Sequence, residues 1–179
     1  MKELVKQVDD HVDSFVETHQ HPVADKIFYP LSSAADHSML WHAIGLTAAV
    51  MRRDKRFAFR FALALGIESA LTNGVIKPLI GRVRPETEEG PLPHGLRRPK
   101  TSSFPSGHAT SAFMATSILG NGARAPQNLL IRLLASSVAA SRVYTRMHHA
   151  SDVAAGAALG IGFGRIARRN IRLRSHLRN

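Results

Sequence analysis

The chain has 179 residues, room for one domain with a hydrophobic core of its own. Its 24 Lys and Arg against 13 Asp and Glu leave a formal charge of +11, which suits an anionic partner: nucleic acid, a phosphorylated substrate or an acidic membrane surface. No cysteine is present, so disulfides and thiolate metal sites are excluded.

The opening stretch MKELVKQVDDHVDSF has no apolar run before its first acids and does not read as a cleavable signal peptide. Leu4, Val5, Val8, Val12, Phe15 and Val16 share one helical face, which predicts an amphipathic helix over 3–19, ended by His21-Pro22. Such a helix lies in an interface or packs on a neighbour. Strand signals are scarce, and further helices are predicted near 37–52, 55–77, 107–121, 127–146 and 151–168. Residues 82–104 are rich in proline and charge and read as a long loop, of a length that is usually functional or disordered. From Arg165 onward, six arginines in fifteen residues form a basic tail. The predicted organisation is a single all-α domain over 1–179. It has an amphipathic segment 1–36, a helical core 37–168 of about five helices and a tail 169–179.

The apolar runs do not settle the solvent. Mean hydropathy is −0.09, low for a membrane protein. A span needs roughly 20 mostly apolar residues. Met39–Met51, Phe57–Ile76, Ser106–Ala123, Asn128–Val143 and Val153–Gly164 are short or carry a charge, namely Arg60 and Glu68 in the second and Arg132 in the fourth. Composition alone slightly favours a soluble helical protein.

The polar residues gather in three clusters. Lys77 ends one apolar helix and is followed by Arg84-Pro85. Pro105-Ser106-Gly107-His108 opens the next helix. Two apolar helices turning at Asn121–Pro126 then return the chain to the same end, where Ser141, Arg142, His148 and Asp152 lie. Lys77, Arg84 and Arg142 suit a phosphoryl dianion. Ser106 is placed to cap the helix starting at Gly107, where free backbone N–H groups favour an anion. His108 and His148 are able to transfer protons or attack phosphorus. Asp152 stands four residues after His148 and three after His149, and spacing alone prefers neither histidine.

Taken together, these clusters resemble the type 2 phosphatidic acid phosphatase (PAP2) superfamily, which also includes vanadium haloperoxidases. The family pattern is Lys, six residues, Arg-Pro; then Pro-Ser-Gly-His; then Ser-Arg, five residues, His, three residues, Asp. Every specified position is present here over residues 77–152. The resemblance implies a PAP2-like helical bundle and a metal-independent lipid phosphate phosphatase without a cofactor. In it His148 is the nucleophile, Asp152 orients it, and His108 is the acid and then the base. Lys77, Arg84, Ser106, Gly107 and Arg142 bind phosphate. The implied substrates are polyprenyl-linked phosphates, such as decaprenyl phosphoribose or a polyprenyl diphosphate, and phosphatidic acid. Many relatives read SRVYLGVHYPSD in the third motif; here Arg146 replaces the glycine, His149 the tyrosine and Ala150 the proline.

The resemblance also implies a multi-pass membrane protein with no nucleic-acid partner. The loop 82–104 and Ser141–Asp152 are expected on the extracytoplasmic side. Arg52–Arg56, Arg124 and the tail after Arg165 are expected in the cytoplasm. The alternatives are a vanadate-dependent peroxidase or a soluble acid phosphatase using the same site, and a non-enzymatic basic scaffold for anionic lipid.

Overall fold

The computed structural model describes residues 1–85, 96, 99, 101–120 and 125–171. Most of the loop 86–100, Arg124 and the tail from Arg172 lie outside the described residues, and so do the expectations placed on them. Among the described residues there is helix and no strand. The helices are α1 (Lys2–Thr18), α2 (Pro22–Ala34), α3 (Met39–Met51), α4 (Lys55–Leu71), α5 (Lys77–Ile80), α6 (Gly107–Leu119), α7 (Ala125–Tyr144) and α8 (Ala150–Ala167). A single 3₁₀ turn, Asp36–Ser38, joins α2 to α3.

No helix is predicted between His21 and His37, and there the structure corrects the sequence. Pro22 both ends α1 and starts α2, because its fixed φ and missing N–H suit a first helical turn. The His21 ring nitrogen Nδ1 caps that turn, accepting from the Val23 amide at 3.2 Å. Pro30 lies inside α2. The helix buries Tyr29 and Ser32 and packs on α7.

α4 and α5 form one helical run, Lys55–Ile80, of 26 residues. Asp54 caps it, accepting from the Phe57 amide at 3.0 Å. Phe57, Phe61, Leu65, Glu68 and Thr72 face inward. Phe59, Leu63, Ile67, Leu71, Val75 and Leu79 form a second row, four residues apart, that stays exposed. Between the two helices, Thr72–Ile76 makes a π turn. Pro78 follows it, and a proline offers no amide to the carbonyl four residues back. The wider turn rotates Lys77 inward, where it is 6% exposed. Gly81 then ends the run in a left-handed conformation, φ 62, its amide bonded to the Lys77 carbonyl at 3.1 Å.

The tightest contact in the bundle is between α6 and α8. Gly156, Gly160 and Gly164 line one edge of α8 at four-residue spacing. A β-carbon on Gly156 would lie 2.5 Å from the Ser106 carbonyl oxygen, and one on Gly160 would collide with the Thr110 carbonyl. One on Gly164 would lie 2.9 Å from the Met114 carbonyl oxygen. Without side chains the two backbones approach closely. The approach is sealed at the N-terminal ends, where the Ser106 amide donates to the Asp152 carbonyl at 3.0 Å.

The N-terminal helix docks differently from its apolar pattern. Leu4, Val5, Val8 and Phe15 are exposed, while the residue that α1 buries is Asp9. An acidic edge, not the apolar stripe, meets the bundle.

Candidate active site

The three sequence clusters meet at one end of the bundle. The first is locked to the second by backbone and hydroxyl bonds: the Ser103 amide donates to the Arg82 carbonyl at 2.9 Å, and Ser103 Oγ donates to the Val83 carbonyl at 2.9 Å. The third sits on the turn between α7 and α8. There the Arg142 carbonyl accepts from the Met147 and His148 amides, each at 3.1 Å, and swings His148 back toward the bundle.

A cavity of about 660 Å³ opens here, lined among others by Lys77, Arg84, Gly107, His108, Arg142 and His148. Ser106 and Asp152 are buried behind its wall. Ser106 Oγ accepts from the Ala109 amide at 3.4 Å, the N-cap role its position predicts. Gly107 lies against the lysine; a β-carbon there would be 3.8 Å from Lys77 Nζ.

His148 is 1% exposed. Its Nδ1 donates to the Ser103 carbonyl at 2.6 Å, which places the proton on Nδ1 and the lone pair on Nε2. Arg84 NH1 stands 3.4 Å from that Nε2. The Asp152 carboxylate lies beside the ring, 3.8 Å from Nδ1. The i+4 spacing therefore brings the carboxylate to His148, but the hydrogen bond itself is made by Ser103. Burial above all, opposed by Asp152 and reinforced by Arg142, Arg84 and Lys77, pushes the His148 pKa down to about 3. The imidazole is neutral at physiological pH, the form a nucleophile needs.

The cations are held by different means. Arg84 is fixed by carbonyls: its NH1 donates to Met147, its Nε to Thr101 at 3.2 Å and its NH2 to Ser102 at 3.2 Å. Arg142 is 1% exposed, and its NH1 donates to Ser32 of α2. Its buried Nε has no hydrogen-bond partner among the described residues.

His108 has a carboxylate partner that spacing did not reveal. Asp36, in the 3₁₀ turn after α2, places Oδ1 2.9 Å from His108 Nε2. The two residues after it, His37 and Ser38, have φ of 51 and 60, a left-handed pair that turns the chain back into α3. Burial works to raise the Asp36 pKa, but the bond to His108 and the charges of His108, Arg142 and His37 outweigh it and hold the carboxyl below its ordinary range.

Four residues around the site escaped motif reading: Asp36, Ser103, Arg82 and Asp9. Arg82 stands inside the Lys77–Arg84 interval and was readable as a further cation; the others had no local signal. Arg146 and His149 do not line the cavity. They pair instead with Glu17 at 3.0 Å and Asp13 at 2.6 Å of α1. Among the described residues there is no group of three or more His, Asp or Glu arranged to hold a metal ion.

Known proteins resemble this chain in sequence and in fold. The chain is 32% identical over 136 residues to the decaprenylphosphoryl-5-phosphoribose phosphatase of Mycobacterium tuberculosis, covering 76% of this chain and 74% of that protein. It is 32% identical over 124 residues to the lipid A 4'-phosphatase of Bacteroides thetaiotaomicron, covering 62% of this chain and 55% of that one. The crystal structure of a transmembrane PAP2 type phosphatidylglycerolphosphate phosphatase from Bacillus subtilis superposes with a TM-score of 0.76 at 23% identity, over 98% of this chain and 90% of that chain. The structure of LpxE from Aquifex aeolicus gives 0.73 at 24% identity, over 89% and 93%. The model of the PAP2 superfamily matches residues 57–175, an interval that holds all three motifs, and the chain belongs to that superfamily.

Proposed function

We propose that this PAP2-type phosphatase hydrolyses a phosphate ester of a membrane lipid through a phosphohistidine on His148. The observation that carries the reading is one cavity in which Lys77, Arg84 and Arg142 surround a neutral His148. Nε2 attacks phosphorus and the bond from phosphorus to the lipid oxygen breaks. His108, whose ring Asp36 holds against a burial that pushes its pKa down to about 4, gives a proton to that oxygen. A water then loses a proton to His108 and attacks the phosphohistidine, so that the P–N bond breaks and inorganic phosphate leaves. The three cations and the α6 N-terminus stabilise the charge that builds on the equatorial oxygens. The activity of the M. tuberculosis relative supports a polyprenyl-linked phosphosugar as the first substrate to try, with phosphatidic acid beside it.

Purified protein in detergent is the test, assayed against a polyprenyl phosphosugar, phosphatidic acid and soluble phosphate esters. A lipid phosphate is expected to be cleaved in preference to soluble esters. The rate should stay within about twofold in EDTA, because protein cations carry the charge, and should fall with orthovanadate, which mimics the five-coordinate phosphorus. Activity that disappears with EDTA and returns with Mg²⁺ overturns the mechanism.

The role of His108 has its own signature. His108→Ala is expected to lower kcat for alkyl phosphates by about 10²- to 10³-fold but for p-nitrophenyl phosphate by less than about tenfold, since a good leaving group needs little protonation. Asp36→Asn should show the same contrast in weaker form. Equal losses for both esters would reduce His108 to a phosphate ligand.

The proposal extends to topology. The Lys55–Ile80 run, at 26 residues, is long and apolar enough to cross a membrane and is about 39 Å long, against a hydrocarbon layer of about 30 Å. Its exposed apolar row supports contact with lipid. Lys77 is at the site end of that run and Arg52–Arg56 at the other, so retention of the basic cluster in the cytoplasm turns the site outward. Single cysteines replacing Thr101, beside the cavity, and Ser175, in the tail outside the described residues, test it in intact cells. An impermeant thiol reagent should label the first and spare the second; the opposite pattern reverses the orientation.

A further inference from the structure

Helix α1 meets the bundle through three carboxylates. Asp9, Asp13 and Glu17 stand four residues apart and so stack along one edge of the helix. Asp9 is 1% exposed. Its Oδ1 accepts from the Ser151 amide at 2.9 Å, and its Oδ2 from Ser151 Oγ at 2.6 Å and Arg82 NH2 at 2.7 Å. Asp13 Oδ2 pairs with His149 Nδ1 at 2.6 Å, and Glu17 Oε1 with Arg146 NH1 at 3.0 Å. Every partner lies on the turn that carries His148 or on the Arg82 loop beside it.

The contacts are specific in ways a surface helix does not require. Burying a carboxylate costs free energy unless it is paired and hydrogen-bonded, and Asp9 is both. For Asp9 burial works to raise the pKa, yet Arg82 and Ser151 outweigh it and hold the carboxyl below its ordinary range. For His149 burial works to lower the pKa, yet Asp13 outweighs it and favours the charged ring. Arg146 has φ 53, a left-handed conformation that disfavours any side chain, and its side chain is 13% exposed against α1.

Arg82 carries the contact inward. Its NH1 donates to Asp152 Oδ1 at 2.6 Å, while the other carboxylate oxygen, Oδ2, accepts from the His149 amide at 2.9 Å and faces His148 Nδ1 at 3.8 Å. A chain of hydrogen bonds thus runs from Asp9 through Arg82 to Asp152, whose carboxylate stands beside His148 at 3.8 Å. Neither Asp9 nor Arg82 lines the cavity.

We infer that α1 is a clasp on the catalytic turn, and that Asp9 and Arg82 are positioning residues that set the Asp152 carboxylate beside His148. The inference rests on the phosphatase reading above for what the turn does, and on geometry alone for what α1 holds. A clasp of this kind changes the rate of the bound complex and leaves substrate binding alone, because its residues do not touch the cavity.

The test uses full-length Asp9→Asn with phosphatidic acid in detergent micelles, and hydrogen exchange of residues 145–152. The expected result is a kcat at least about fivefold lower with KM within about twofold, and faster exchange at the Ser151 amide. A kcat loss below about fivefold, a loss carried by KM, or unchanged exchange overturns the inference. Should Asp9→Asn fail to fold, the charge swap decides: Glu17→Arg and Arg146→Glu each lower kcat, and the double variant recovers to within about twofold of wild type. A double variant no better than the worse single one overturns the clasp. Wild-type protein inactive on every lipid phosphate would sink the phosphatase reading instead, and the exchange measurement would still decide whether α1 holds the turn.

Discussion

Replacing His148 with alanine is expected to lower kcat by about 10³-fold or more, while His149→Ala keeps kcat within about tenfold of wild type. The two histidines are neighbours, and the structure separates them sharply. His148 is buried with Nδ1 fixed on the Ser103 carbonyl and Nε2 beside Arg84. A neutral imidazole whose Nε2 carries the lone pair is a nucleophile. His149 turns the other way, to Asp13 of α1. Its loss weakens the support of the turn without removing a reacting atom. Steady-state kinetics on both variants, with circular dichroism to show that each is folded, check the contrast. Equal losses in two folded proteins would overturn the assignment of the nucleophile.

Gly160→Ala and Gly162→Ala are expected to act in opposite directions, although they sit two residues apart on one helix. At Gly162 a new β-carbon meets nothing within 4 Å. Alanine there should raise stability by about 0.5–1 kcal/mol, the usual gain in helix propensity over glycine. At Gly160 the new carbon collides with the Thr110 carbonyl and lies 3.0 Å from the Met114 amide nitrogen. Backbone cannot rotate away as a side chain does, so the helices must part, at a cost of about 1–3 kcal/mol. The parting also strains the Ser106–Asp152 bond that joins the start of the His108 helix, α6, to the start of α8. Activity should therefore fall with stability at Gly160 and stay near wild type at Gly162. Thermal melting in detergent reads the sign directly. A Gly160→Ala protein as stable as wild type would mean that α6 and α8 are not in close backbone contact.

Much of the site was legible because its residues are grouped by motif. Lys77, Arg84, His108, Arg142 and His148 were readable as one anion site, and the cavity brings them together. The alternation of apolar runs and Pro-rich breaks placed the five core helices to within a few residues. α2 was hidden because His21-Pro22 read only as the end of the first helix, although that proline is also a helix starter. Asp36 and Ser32 depend on α2 and were lost with it. The π turn before Lys77 changes the register of one residue and leaves no periodic trace. The glycine row 156, 160, 164 was visible as spacing, but a row of glycines does not say which helix fills it.

Local chemistry decided the rest of what could be read without coordinates. Side-chain type and short spacing determine which groups are charged, which cap a helix and which share a helical face, because those depend on neighbours a few residues away. Only the tertiary structure decided that Ser103, 45 residues from His148, sets its tautomer, and that Asp36, 72 residues from His108, holds that ring. It also decided the orientation of α1. The apolar stripe of that helix predicts which side avoids water, while the buried Asp9 and its bonds to Arg82 and Ser151 determine which side meets the protein. Such pairings come from the closure of distant segments around one core. Their energy lies in contacts that no window of sequence contains.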